Sequence, residues 1–141
     1  ERERLSSQNE LGTDLAAHLQ KGLRAVPLTA SSALNSAITN DMGGRFVFAQ
    51  QVFSSGTPGD VLLCLSTSGN SENILYAAAA ARAVGVKVLA LSGRDGGQLK
   101  ALSDVCIICP AETTEAVQEY HLPVYHTLCA ALEAHFWGTE E

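Results

Sequence analysis

The sequence predicts an α/β fold, a three-layer αβα sandwich on a parallel doubly wound sheet. Three observations predict it. Apolar runs at Val61–Leu65, Lys87–Ser92 and Asp104–Cys109 alternate with helical stretches at short spacings, the order expected of strands and crossovers in a parallel sheet. The first run is apolar throughout rather than alternating, as in a strand covered on both faces. Ala and Leu are abundant while aromatics reach only 6%, which favours helices packed on a sheet over a large β sandwich. The 141 residues suffice for one domain with one core.

Along the chain, residues 1–22 are polar, with Leu11, Leu15 and Leu19 at helical spacing. They predict a short amphipathic helix, capped by Ser6 or Ser7, or an ordered excursion. The α/β domain takes residues 23–141. Its first strand candidate is Leu23–Thr29, weakened by Pro27, which lacks a ladder donor. Ser31 caps a helix through Ile38, and Asn40-Asp41-Met42-Gly43-Gly44 reads as a turn. Arg45–Phe53 reads as a helix with Phe46, Ala49, Gln50 and Phe53 on one face. Gly56 and Pro58 punctuate a loop before the strand Val61–Leu65. A helix from about Ser71 to Val84 ends at Gly85, which suits a C′ position. After the second strand come the turn Arg94-Asp95-Gly96-Gly97, a short helix Gln98–Leu102 and the third strand. Thr113 or Thr114 caps a long helix through about Trp137, stopped by Gly138.

Composition removes several function classes. Lys plus Arg is 9 against 15 for Asp plus Glu, a formal net charge of -6. No basic cluster offers to neutralise a nucleic-acid backbone, so no nucleic-acid partner is expected. No apolar run reaches the roughly 18 residues of a membrane span, and Glu-Arg-Glu-Arg at the start is no secretory signal. A cytoplasmic protein is expected. Cys106 and Cys109 have CxxC spacing, but residues three apart on a strand face opposite ways. All four cysteines, at 64, 106, 109 and 129, are therefore expected to be small buried hydrophobes.

The strongest site candidate follows Leu65. In open α/β sheets, ligands sit beyond the carboxyl ends of strands. Here that end carries Ser66, Thr67, Ser68 and Ser71, four hydroxyls within six residues. Gly69 lets the backbone approach a ligand, and Asn70 tolerates left-handed geometry. Free N–H groups and the positive end of the next helix dipole would point at the same small volume. Hydroxyls, amides and a helix start make an anion site without a lysine, and a phosphate monoester fits it. On the plain structural reading Ser71 is only an N-cap. The G-x-x-x-x-G-K-[ST] and G-x-G-x-x-G patterns are both missing from this loop, which argues against nucleotide triphosphates and dinucleotides.

The segments GDVLLCLSTSGNSENIL and AARAVGVKVLALSGRDGG together resemble the sugar isomerase (SIS) domain. ASSALNSAITND, STSGNS, GRDGG and EAVQEYHLPVYHTL resemble its phosphoheptose isomerase branch. The resemblance covers about residues 25–137. It implies a five-stranded parallel sheet of flavodoxin-like order between helices, and a homotetramer with sites at subunit contacts. The implied activity is conversion of sedoheptulose 7-phosphate to an aldehyde heptose 7-phosphate, used for surface-polysaccharide heptose. By resemblance Ser66, Thr67, Ser68 and Ser71 bind the phosphate, while Asn40 and Asp41 contact substrate. Gln118 and His126 contact substrate, or a zinc ion where one is bound, and His126 is the general acid/base. Glu115 stands where the family often has an acidic residue near that His.

The residues themselves support the last helix less strongly. Enediol isomerisation needs a base, an acid and a proton shuttle, and His titrates near neutral pH. His121 and His126 lie about 140° apart on a helix, so they do not share a face. Spacing does not choose between them; the resemblance selects His126. Gln118 and His126 are roughly 12 Å apart along the axis, so sharing a ligand needs inward reach or a neighbouring subunit. Pro123 between them is expected to kink the helix and free the Glu119 carbonyl.

The sequence departs from the family at its start. The family's first strand, its Gly-Asn-Gly-Gly-Ser loop and the following helix with a His and the usual catalytic Glu have no counterpart. If the family's strand order holds, a strand is missing between Leu23–Thr29 and Val61–Leu65, leaving unpaired backbone in mid-sheet. The expectation is an N-terminally incomplete domain whose isolated product lacks normal isomerase activity. Two alternatives to an isomerase stand. One is a non-catalytic SIS module that senses a sugar phosphate or associates with a replication initiator. The other is a structural α/β domain with a Ser-capped helix.

Overall fold

The structure, a computed structural model, describes residues 1–138. It falls into two compact units, Glu1–Ala30 and the chain from Ser31 onward. In the first, α1 (Arg2–Ser6) packs on α2 (Glu10–His18). The cap of α2 is Asn9, whose side chain accepts from the Gly12 N–H at 3.0 Å, rather than Ser6 or Ser7. Asn9 stands immediately before the helix, whereas Ser6 ends α1. Gly12 lies against the Leu5 carbonyl, where a Cβ would have no room. Leu11, Leu15 and Leu19 stay exposed, and α2 stops before Leu19.

Residues 19–27 form no helix or strand, so the strand expected at Leu23–Thr29 does not form. Pro27 offers no N–H to a ladder, and its carbonyl instead accepts from Ala30 N–H in a turn, at 3.0 Å.

The second unit opens with α3 (Ser32–Asp41), capped by the Ser31 hydroxyl on Leu34 N–H at 3.3 Å. The helix takes in Asn40 and Asp41, which the sequence placed in a turn. Met42 and Gly43 N–H still bond Ile38 and Thr39 carbonyls, and the chain leaves the helix only at Gly43, φ +102°. A 3₁₀ turn, Gly44–Phe46, leads into α4 (Val47–Ser55). Its inward residues are Val47, Ala49 and Val52. Of the face predicted from spacing, Ala49 is buried but Phe53 is 65% exposed. The 3₁₀ start changes the phase of the helix relative to a regular one beginning at Arg45.

Three parallel strands follow, β1 (Val61–Ser66), β2 (Lys87–Gly93) and β3 (Val105–Cys109), in the order β1-β2-β3. Between them run α5 (Glu72–Ala83) and α6 (Gly97–Leu102), and α7 (Thr114–Trp137) closes the chain. Helices cover both faces of the sheet, as the αβα reading requires. The sheet is contiguous, with β1 at one edge, so the gap expected in mid-sheet does not occur. Ala77, Ala78 and Ala81 bring α5 close to the sheet, where Cys64, Val88 and Ala90 are buried. Burial pushes the Cys64 thiol up to about 11.

On the opposite face β1 is not covered. Val61, Leu63 and Leu65 are exposed, as is Val105 of β3. An apolar run does not by itself reveal whether both faces are covered. The cysteines also divide: Cys64 and Cys109 are buried, Cys106 is half-buried, and Cys129 is exposed. No described helix is long and apolar enough to cross a membrane.

Candidate functional site

Where β1 ends, residues 66–71 turn into α5. Ser66 is the last strand residue and is buried. Thr67 and Ser68 are half-buried, and Asn70 and Ser71 reach solvent. Two bonds set the turn: Gly69 N–H to the Ser66 carbonyl at 3.1 Å, and Asn70 N–H to the Ser68 hydroxyl at 3.2 Å. Gly69 has φ +65° and packs against the backbone of Gly96 and Gly97, so a Cβ would overlap the Gly96 carbonyl. Around that contact, Leu99 N–H bonds the Gly69 carbonyl at 3.0 Å, and Gln98 N–H bonds the Asn70 side-chain oxygen at 3.1 Å. The Ser-rich turn and the GRDGG turn are thus fastened together at the carboxyl end of the sheet. This buttress is the reason for the glycines in both. The sequence marks GRDGG as a turn and as part of the family resemblance but not as a buttress, although two Gly-bearing turns after adjacent strands are a signal for it.

Ser71 precedes α5 but its side chain caps nothing. Ser66 Oγ–H instead donates to Ser71 Oγ at 3.1 Å. The Glu72 and Asn73 N–H groups have no carbonyl four residues back within the helix. Ser71 thus holds the N-cap position by its backbone, whose carbonyl accepts from Ile74 and Leu75 N–H, but its hydroxyl does not act as the cap. What remains is a hydroxyl cluster and amide donors at the positive end of a three-turn helix. Such a cluster donates to an anion without a cationic side chain.

Asn40 and Asp41 are exposed at the end of α3, and no hydrogen bond among the described residues joins them to the Ser-rich turn. The 3₁₀ turn after them packs on α5. Arg45 lies over the Phe46 and Tyr76 rings, at 5.0 and 5.7 Å from their centroids, and 3.8 Å from the Glu72 carboxylate.

The last helix divides by rotation. Val117, His121, Val124 and Leu128 form its inward row. Val117 and His121 are buried, and Val124 and Leu128 are half-buried. Glu115, Gln118 and His126 form an exposed stripe about 135° around the helix. His121 and His126 do occupy different faces. The helix runs on through Pro123, whose carbonyl accepts from the Thr127 hydroxyl at 2.8 Å. No hydrogen bond or ring contact among the described residues joins Gln118 or His126 to the Ser-rich turn; the ring beside His126 is Tyr125. Glu115 is engaged at the helix start: its own N–H and the Thr113 hydroxyl hold its carboxyl below the usual range. It lies eleven positions from His126, about 16 Å along the axis.

Among the described residues zinc finds no full site. Gln118 and His126 supply two donors far apart along the helix, where a protein zinc site needs three or four converging. No group of three or more His, Cys, Asp or Glu among the described residues is placed to hold a metal. Two clefts lie elsewhere. One, about 230 Å³, is bounded by Arg82, Lys87 and Asp104 at the amino end of the strands; the other, about 310 Å³, is apolar and lies between β3 and α7. Neither is lined by the Ser-rich turn.

Comparison with known proteins decides the family. A model of the SIS domain matches residues 10–93. The chain belongs to the SIS domain family. Within it, this SIS chain is similar to phosphoheptose isomerases. It is 47% identical over 117 residues to that of Helicobacter pylori (strain Shi470), covering 83% of this chain and 61% of the relative. It is 49% identical over 123 residues to that of Thiobacillus denitrificans, covering 85% and 62%. A solved phosphoheptose isomerase from Neisseria gonorrhoeae superimposes with a TM-score of 0.78 at 41% identity, covering 79% of this chain and 62% of that one. One from Francisella tularensis gives 0.76 at 37%, covering 79% and 60%. The SIS chain thus spans about three fifths of the length of the relatives it matches.

Proposed function

We propose that this chain is the phosphate-binding and acid/base part of a sugar-phosphate aldose–ketose isomerase acting on sedoheptulose 7-phosphate. The observation that carries the reading is the uncapped start of α5, with the Ser66 and Ser71 hydroxyls paired beside it. The phosphoheptose isomerases to which the chain is similar supply the substrate class.

In this reading Ser66, Thr67, Ser68 and Ser71 hold the phosphate, with Asn40 and Asp41 directed at the sugar hydroxyls. Isomerisation moves a proton. A base takes one from the carbon beside the ketose carbonyl while the carbonyl oxygen gains a proton, giving an enediol; an acid then returns a proton to the former carbonyl carbon as the neighbouring hydroxyl gives up its own and becomes the aldehyde. His126 is the group proposed for acid/base transfer, and Gln118 for holding substrate oxygens. Their stripe faces away from their own sheet, which supports a site shared between copies in a homotetramer. Zinc, where bound, would polarise a substrate oxygen; Gln118 and His126 would be two of its ligands, and no step is derived through it. The active protein is proposed to be cytoplasmic and to bind neither nucleic acid nor membrane.

The test uses the full polypeptide carrying this sequence. His126→Gln should abolish turnover while calorimetry still shows sugar-phosphate uptake. Undiminished turnover would refute the acid/base role of His126, whereas a parent protein that takes up sugar phosphate without any turnover would favour a non-catalytic sugar-phosphate sensor. Mixing His126→Gln subunits with Ser71→Ala subunits should restore part of the activity if copies share a site.

A further inference from the structure

The buried polar residues among those described are Ser66, Ser92 and His121, and one chain of hydrogen bonds connects them. His121 Nε2 lies 3.4 Å from the Ser92 carbonyl, so this nitrogen carries the proton and donates. Ser92 Oγ–H donates to the Ser66 carbonyl at 2.8 Å. Ser66 Oγ–H donates to Ser71 at 3.1 Å. The chain therefore runs from the inward row of α7, through the end of β2, to both ends of the Ser-rich turn. The adjacent residue repeats the connection. Gly93 N–H bonds the Thr67 carbonyl at 3.1 Å, and Val117 of α7 sits so close over Gly93 that a Cβ there would strike it.

Burying three polar side chains is unfavourable unless each is bonded. Among the described residues no buried side-chain polar atom is left without a partner. An apolar trio would pack the same space without that requirement, yet it would not orient the Ser66 carbonyl and hydroxyl. Orientation is what a phosphate site needs, because donors must be fixed before the anion arrives.

We propose that His121 is a positioning residue. Through Ser92 it fixes Ser66, and hence the hydroxyl cluster that receives phosphate, relative to the helix bearing Gln118 and His126. His121 touches neither substrate nor the reacting atoms in this scheme. The inference rests on the reading of residues 66–71 as a phosphate site.

The experiment measures binding of inorganic phosphate and of sedoheptulose 7-phosphate by calorimetry on the full polypeptide, alongside Tm. His121→Leu should weaken both ligands about five- to tenfold, the effect of one lost bond in a buried network. His121→Gln, which keeps a donor near the Nε2 position, should return affinity to within about twofold of the parent. Ser92→Ala should match His121→Leu, and it carries the same prediction if His121→Leu does not fold. Val88→Ala, at the far end of β2, should lower Tm without changing either affinity. Parent-like affinity in both His121→Leu and Ser92→Ala would overturn the proposal. So would failure of His121→Gln to rescue, or equal weakening by Val88→Ala. A parent protein that binds neither ligand would overturn the phosphate site itself, and this proposal with it.

Discussion

At the start of α7, the Thr113 hydroxyl accepts from Ala116 N–H at 3.3 Å and donates to the Glu115 carboxylate. At the start of α5, Ser71 makes no such cap and its hydroxyl turns to Ser66. Two helices of one domain thus open with the same kind of residue, used differently. In α7 the end groups are satisfied internally and stabilise the fold. In α5 the matching donor, Ile74 N–H, bonds the Ser71 carbonyl and the Asn73 side-chain oxygen, each at 3.0 Å, while the Glu72 and Asn73 N–H groups ahead of it are left to an external partner. The contrast teaches that a hydroxyl before a helix is not by itself a cap. Its hydrogen-bond partner decides whether it belongs to the fold or to a site.

Breaking the turn that presents Ser71 should have the largest effect. Gly69→Ala adds a Cβ against the Gly96 carbonyl at a positive φ and should cost about 2–4 kcal/mol, seen as a lower urea midpoint together with loss of phosphate binding. Ser71→Ala should separate the two helix starts. Phosphate affinity should fall about tenfold, as for a lost hydrogen bond to an anion, while stability changes by less than about 0.5 kcal/mol. Thr113→Ala should do the reverse, costing about 1 kcal/mol of stability with phosphate affinity unchanged. If Ser71→Ala and Thr113→Ala gave the same pattern, the distinction would collapse.

The smallest effect is one of pH. Glu115 has its carboxyl lowered in the folded state by its own N–H and by Thr113. Its contribution is present above the ordinary glutamate value, about 4.3, and is lost as pH falls through the lower folded value. Glu115→Gln should therefore flatten the acid limb of the stability curve slightly and leave neutral-pH phosphate binding unchanged. Acid unfolding monitored by circular dichroism reads this.

Much of this was legible in the sequence, for identifiable reasons. The three strands and the turn after Leu65 are marked by apolar runs ending in small polar residues, a signal that survives any tertiary arrangement. The strand at Leu23–Thr29 was misread because an apolar run says nothing about whether a neighbour pairs with it. Asn40 and Asp41 were placed in a turn because polar residues look like a boundary, whereas the stop is at Gly43. The role of His121 was illegible because it depends on how α7 is rotated over β2, and spacing alone only told that two histidines differ in face. The bare outer face of β1 was illegible for a related reason, since Val61, Leu63 and Leu65 look like core residues until their surroundings are known.

The abutment of Gly69 on Gly96 and Gly97 also bears on how such a chain can vary over generations. Neither turn can acquire a side chain at these positions unless the other retreats, so drift at one site is held in check by a distant stretch of the same polypeptide. A saturation library should accordingly show the two stretches as a single intolerant block, flanked by positions such as Lys100 and Gln98 that accept many replacements.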